Sequence, residues 1–500
     1  MLRPDFASIS ILFLVAILLT ALPADGQVRE LPADTTVVSE HEVTIKGEEI
    51  RYTATAGTQP VWGEEGTPAA SLFYVYYQKQ DVDDLTRRPL VFSFNGGPGS
   101  ASVWMHIGYT GPRFLKIDDE GHPVQPYGVV DNPHSILDVA DIVFVDPVNT
   151  GFSRILSEDA ERDDFFGVNA DVEYLAEWIN NFVGRHGRWA SPKYLIGESY
   201  GTTRVSGLAR ELQNAHWMFV NGVILVSPTG LGLEPPAMTP RSEILKLPYY
   251  AATAWYHGVL DEELQQKDLM EILPEVEEFT IEEYLPAVAL GYTLDNDRRD
   301  EIAEQVARYS AISKQDVLDH NLTIPTPFYW KDLLRREEGL TVGRLDSRYR
   351  GLDRQLAGQF YDHDPALTAW NHSFTPAINH YLREDLGFET DLKYNIFGPV
   401  RPWDRDNNDT GEDLRRAMGE NPYLHVMIQS GYYDGATDYF SAKYVMWNMD
   451  RSGRVQDRLE FKGYRSGHMM YLRQEDLQAA NDDIREFIRK SVTDGESARY

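Results

Sequence analysis

Four short runs of β-branched and aromatic residues stand out along the first half of the chain: "RPLVFSFNGGPG", "ADIVFVDPVNTGFS", "KYLIGESYG" and "NGVILVSPTG". Each ends in glycine, proline or an acidic residue, the usual punctuation after a strand. The stretches between them are long enough for a crossover, and "DVEYLAEWINNFVGRH" carries apolar residues at helical spacing. That alternation predicts an α/β fold built on a mostly parallel sheet. Upstream, "VTIKGEEIRYTATAG" and "SLFYVYYQKQ" alternate apolar and polar positions with period two and predict antiparallel strands leading into it.

From about Glu234 to Asn421 the pattern changes to helical stretches such as "DEELQQKDLMEILPEVEEF" and "RRDEIAEQVARYSAISKQDVLDH". We read this region, 234–421, as an inserted, mainly helical cap between two parts of the core, 27–233 and 422–500. The acidic residues in the first of these stretches are read as a solvated helix face. The strand pattern resumes with "YLHVMIQSGYYDG" and "RLEFKGYRSGHMMY", and "EDLQAANDDIREFIRK" closes the chain as an amphipathic helix.

The N-terminus, "MLRPDFASISILFLVAILLTALPADGQ", has one arginine before an apolar run and small residues behind it, the pattern of a signal peptide cleaved after Gly26. The expected product is exported, periplasmic or secreted, with no stable membrane anchor. The chain has no cysteine, so its core carries the stability that disulfides supply in many exported proteins, and thiol chemistry and cysteine-held zinc are excluded. With 78 acidic against 47 basic residues the surface repels nucleic acid. At 42% hydrophobic residues over 500 positions, a large core is available.

The chemistry begins at Ser199, centre of the one G-x-S-x-G step, between the strand "KYLIG" and the helix-forming "TTRVSGLARELQNA". In a nucleophile elbow the serine sits on such a strand-to-helix turn. A serine hydroxyl needs a histidine to take its proton and a carboxylate to orient that histidine, and in the α/β-hydrolase fold they follow in the order Ser, acid, His. Beyond the cap the histidines are His425, inside a buried strand, and His468, in a Gly-rich loop after a strand; His468 is the better base. Asp434 follows the strand "HVMIQ" at its C-terminal end, where open parallel sheets build their sites, and Asp438 is the reserve acid. "FNGGPGSAS", after the strand "LVFSF", puts bare backbone where an oxyanion-hole donor belongs.

Together "NGGPGS", "DPVNTGFS", "GESYG", "SGYYDG" and "SGHM" resemble, in order, the motifs of the serine carboxypeptidase family, and the resemblance runs from Pro89 to about Tyr471. It implies an α/β-hydrolase fold, with Ser199 as nucleophile, His468 as general base then acid, and Asp434 as its orienting carboxylate. It further implies the N–H groups of Gly97 and Tyr200 as oxyanion donors. Asn95 and Glu198 match the residues that bind the free C-terminal carboxylate of the peptide.

Two positions depart from the family pattern. Ser93 stands where tryptophan is common, and Tyr109 where a second glutamate shares a proton with the first. A milder acid preference is implied than a paired-glutamate site shows. Ser100 replaces a common cysteine, and the lack of disulfides fits an exported member of bacterial type.

The implied activity is a serine carboxypeptidase acting on peptides with a free C-terminus through an acyl-enzyme. The alternatives are an acyltransferase or esterase using the same site, and a non-enzymatic binding module. No cofactor or metal is expected. Asp362, His363 and Asp364 are adjacent in a loop and point apart, and no H-E-x-x-H is present. Asn321, Asn371 and Asn408 fit the N-x-S/T pattern, which has meaning in a eukaryotic secretory pathway.

Overall fold

The computed structural model describes residues 31–492 apart from 64 and 237, together with 495 and 497. The expected signal peptide, 1–26, lies outside the described residues. Chain order along the main sheet is β1 (Thr35–Ile45), β2 (Glu48–Trp62), β3 (Pro68–Lys79), β4 (Leu90–Phe94), β5 (Asp141–Val145), β6 (Lys193–Glu198), β7 (Gly222–Val226), β8 (His425–Gly431) and β9 (Leu459–Tyr464). In space the order is β1-β2-β3-β5-β4-β6-β7-β8-β9, and a two-residue strand, Arg154–Ile155, brings the sheet to ten. The first three strands are antiparallel. β5 meets β3 antiparallel and then runs parallel to β4, as do all strands beyond it. This is the α/β-hydrolase fold.

The period-two pattern is what separates the faces. Along β3, Phe73, Val75 and Tyr77 join one apolar core, while Leu72, Tyr74 and Tyr76 join the other. The second face is covered by α1 (Val168–Arg185), which buries Trp178, Ile179 and Phe182, and by α2 (Tyr200–Ala215), which buries Val205, Leu208 and Leu212. Their apolar residues recur at three- and four-residue spacing, as a helix needs to lay one stripe on a sheet.

The helical region 234–421 divides into two kinds of structure. Its first part holds α3 (Leu247–Tyr256), α4 (Leu269–Phe279), α5 (Asn296–Ser310) and α6 (Thr326–Asp332) around an apolar core of its own that includes Ile272, Ile302, Val306 and Tyr329. α4 starts where Asp268 caps it and Glu271 returns the bond, a capping box. Its second part belongs to the body. α7 (Pro365–His380) packs Trp370, Phe374 and Ile378 into the first sheet core, with Phe374 edge-on to Trp104 at 4.7 Å. α8 (Thr410–Glu420) lies along α2, where Glu420 Oε2 accepts from Arg210 Nη1 and Gln213 Nε2, both at 2.6 Å.

After β8 comes α9 (Tyr439–Met449), and the chain closes with α10 (Gln474–Ser491). No helix among the described residues is long and apolar enough to cross a membrane.

Candidate active site

β6 ends at Glu198 and α2 starts at Tyr200, leaving Ser199 to make the whole turn at φ 58° and ψ −126°. A residue with a Cβ is strained at positive φ, and such strain persists only where the surroundings hold it. Here they do, because Ser199 N–H donates to Val226 O at 3.0 Å. The flanking glycines are steric necessities. A Cβ on Gly197 would stand 2.2 Å from Gly201 O, and one on Gly201 would stand 2.9 Å from Phe94 O. Ser199 itself is half-buried.

The Gly-rich loop after β4 comes down on this turn. A Cβ on Gly96 would lie 2.4 Å from Tyr200 N, so the backbone at Gly96 and Gly97 sits against the first N–H groups of α2. Those N–H groups lack an intrahelical partner, which leaves them available to a developing anion.

His468, 4% exposed, faces Asp434, 0% exposed, with Nδ1 to Oδ2 at 2.7 Å. An ionised carboxylate only accepts, so Nδ1 carries the proton and Nε2 is left with its lone pair. Asp434 is held in turn by three donors: Ala436 N at 2.8 Å and Thr437 N at 3.1 Å on Oδ1, and Thr437 Oγ1 at 2.8 Å on Oδ2. Burial lowers the affinity of the imidazole for a proton, but the Asp434 charge and hydrogen bond outweigh it and raise the His468 pKa above its ordinary value. Asp438, the reserve acid, caps α9 by accepting from Ser441 N at 2.8 Å. His425, expected inside a buried strand, is instead the half-buried first residue of β8, and its Nδ1 bonds Tyr423 O two positions earlier at 3.1 Å.

Asp434 and His468 sit on separate loops, and a segment of the helical region ties them together. Gly435 N donates to Arg344 O at 2.9 Å, Ser347 N to Tyr433 O at 3.0 Å, and His468 N to Leu345 O at 2.6 Å. Nothing in "GRLDSRYR" marks it as part of a site, since backbone pairing leaves no side-chain signature.

Beside the serine, Glu198 is 2% exposed and takes Asn95 Nδ2 on Oε1 at 3.1 Å. Its Oε2 takes the hydroxyl of Tyr471. Burial pushes the Glu198 pKa up to about 7, against the opposing pull of the His468 charge and of these two donors. Tyr109 does not reach Glu198 as a hydrogen-bond partner: its hydroxyl donates to Gln429 Oε1 at 2.7 Å, and its ring stacks on Tyr471 at 4.6 Å and 9°. Tyr471 thus meets Glu198 from near the other end of the chain. Sequence reasoning missed it because the two residues are 273 positions apart.

Asp362 and Asp364 serve the loop, the first accepting from Arg354 N at 2.8 Å and the second capping α7. No cluster suited to a metal ion occurs among the described residues. A cavity of 630 Å³ lined by Trp189, Lys193 and Trp217 lies at the start of β6, the end opposite Ser199.

Fold and turn together define an α/β-hydrolase with Ser199 on the sharp turn between β6 and α2. The serine carboxypeptidase family model matches residues 62–334, just over half of the chain, and the chain belongs to that family. The matched span carries Asn95, Gly97, Glu198, Ser199 and Tyr200, and it stops before Asp434 and His468.

Among curated relatives, the retinoid-inducible serine carboxypeptidase of Rattus norvegicus is 29% identical over 179 residues, 35% of this chain and 36% of that protein. Serine carboxypeptidase-like 8 of Arabidopsis thaliana is 26% identical over 196 residues, 39% of this chain and 42% of that one. The chain therefore matches about two-fifths of the length of these relatives. Among solved structures, a prohormone-processing carboxypeptidase from Saccharomyces cerevisiae superposes with a TM-score of 0.53 at 13% identity, covering 88% of this chain and 92% of that one. At that identity the likeness is one of fold.

Proposed function

We propose that this protein is a serine carboxypeptidase that removes C-terminal residues from peptides. The observation that carries the reading is the buried pair Asn95 and Glu198 immediately beside Ser199. An amide and a protonatable carboxyl together can donate to a terminal carboxylate. Ser199 Oγ attacks the last peptide carbonyl while His468 Nε2 takes its proton. Asp434 keeps the imidazole in the required tautomer and stabilises the imidazolium. The N–H groups of Gly97 and Tyr200 hold the oxyanion, and His468 returns the proton to the leaving amine. Water then releases the acyl group by the same steps. The proposal includes export by way of the N-terminal signal pattern, to the periplasm or outside the cell.

The test is incubation with an unblocked peptide and its C-terminal amide, with products read by mass spectrometry. Release of free amino acids from the acid, with the amide poorly cleaved, is expected. Equal cleavage of both, or acyl transfer without peptide hydrolysis, refutes the reading.

The pH dependence follows from Glu198. Its folded pKa is raised to about 7, so the carboxyl is protonated and able to donate below that pH and repels a substrate carboxylate above it. For free-acid peptides kcat/KM falls as pH rises through about 7. His468 must be neutral to act, so activity on any substrate also rises as His468, whose pKa is raised by the Asp434 charge and hydrogen bond, loses its proton, an acid limb, and the pair titrates jointly. Glu198→Gln, an amide that donates at every pH, removes the alkaline fall and leaves the acid limb. Steady-state kinetics between pH 5 and 9 on acid and amide substrates check this, and an unchanged alkaline limb in the variant excludes Glu198 as its origin.

A companion expectation concerns Tyr471. Tyr471→Phe removes a donor that favours the ionised form of Glu198, so the alkaline limb moves to higher pH. The same kinetics read it out, and a shift to lower pH contradicts it.

A further inference from the structure

Arg204 lies on α2, five residues past Ser199, with a fully buried guanidinium. A buried charge needs pairing, and Asp171 on α1 provides it: Nε to Oδ2 is 2.7 Å and Nη2 to Oδ1 is 3.3 Å. Tyr174 steadies Asp171 by donating to Oδ1 at 3.0 Å, and its own hydroxyl accepts from Val148 N at 3.3 Å. An ion pair that only joined two helices would stop there. The remaining guanidinium donors turn to the Gly-rich loop, Nη1 to Asn95 O at 2.5 Å and Nη2 to Pro98 O at 3.4 Å. The cation also sits over the Tyr200 ring, 5.5 Å from its centre.

These contacts have one geometric result. The two carbonyls flank Gly96 and Gly97, so one rigid planar group grips the loop on both sides of the position assigned to an oxyanion donor. It does so from the helix whose first residue supplies the other donor. Its fork of fixed N–H vectors suits this task in a way a lysine ammonium on a flexible stem does not. We infer that Arg204 is a positioning residue for the oxyanion hole, setting the Gly97 and Tyr200 N–H groups relative to each other through Asn95 O and Pro98 O. The inference rests on the serine-hydrolase reading of the site. Its consequence is that Arg204 acts on the transition state without touching substrate.

The test uses full-length Arg204→Lys and Arg204→Met, normalised by fluorophosphonate labelling of the nucleophile, with p-nitrophenyl acetate and an unblocked peptide as substrates. Removing one oxyanion donor outright lowers kcat by about 10²–10³-fold, so a displaced donor is expected to cost about 10- to 100-fold. Both variants lose kcat by that factor with KM within about 3-fold. Affinity for a peptide boronic acid, which places an oxygen in the hole, falls in parallel, while affinity for the product peptide is unchanged.

Lysine keeps the charge beside Asp171 yet cannot grip both carbonyls, so Arg204→Lys remains informative if Arg204→Met fails to fold. Wild-type kcat per labelled site in Arg204→Lys overturns the inference, and so does an equal weakening of boronate and product, which marks a general loosening. A wild type that fluorophosphonate does not label overturns the hydrolase reading and the inference with it.

Discussion

Ser199→Ala is expected to lower kcat by on the order of 10⁵- to 10⁶-fold while leaving the protein folded, because a triad nucleophile, base and acid act as one unit. The two halves of this expectation have separate causes. The loss follows from the single position of Ser199 on the sharp turn between β6 and α2. The nearby Thr202 hydroxyl cannot replace it, since its Oγ1 is engaged with Ser199 O at 2.6 Å. The intact fold follows because alanine keeps the Cβ and brings no new backbone demand at φ 58°. Thermal unfolding should therefore match wild type within a few degrees, and a fluorophosphonate should label wild type alone. Comparable labelling of the variant assigns the chemistry to another serine.

Asp434→Asn should cost about 10⁴-fold in kcat, an effect of tautomer with the shape preserved. The loop fixes how the new side chain sits. Ala436 N and Thr437 N both donate toward Oδ1, so the amide oxygen of asparagine takes that side and its NH₂ turns to His468 Nδ1. Nδ1 then becomes the acceptor and Nε2 carries the hydrogen, the state that cannot take a proton from Ser199. Combined with Ser199→Ala the change should add little. Asp438→Asn is the control: asparagine caps a helix as well as aspartate, so activity stays within a few-fold of wild type. Single-turnover and steady-state rates decide the matter, and near-wild-type turnover in Asp434→Asn transfers the acid role elsewhere.

The inner parallel strands, β4 to β8, were legible because burial on both faces writes near-continuous apolar runs, and each of the six parallel strands ends in a turn signal. Ser199 and Glu198 were legible for a local reason: the glycines at 197 and 201 are required by contacts within the turn itself. Asp434 was legible from its place just beyond β8. What stayed hidden has no local signature. Tyr471 meets Glu198 across 273 positions, and Arg204 meets Asn95 O and Pro98 O across 109 and 106. The division of the helical region was hidden too, because an apolar stripe says that a helix buries one side and leaves open against what. Trp370 and Phe374 on α7 look in sequence like Ile302 and Val306 on α5, yet the first pair joins the sheet core and the second an independent one.

The Arg344–Ser347 segment has a consequence for engineering. A pared-down version of this protein, with α3 to α6 and the segment behind them cut away and β7 joined to α7, would keep the sheet strands, α7 against them, the elbow and the Glu198, Ser199, Asp434 and His468 side chains. It would also strip the partners from Gly435 N and His468 N and leave Tyr433 O without its donor. Two buried backbone N–H groups with no acceptor cost about 1–3 kcal/mol each, a large share of the margin by which a domain holds together. The loops would drift to find other partners, carrying acid and base apart. Substrate preference can be retuned by exchanging the outer helices, provided the graft keeps those four residues; a minimal hydrolase cannot be reached by deletion.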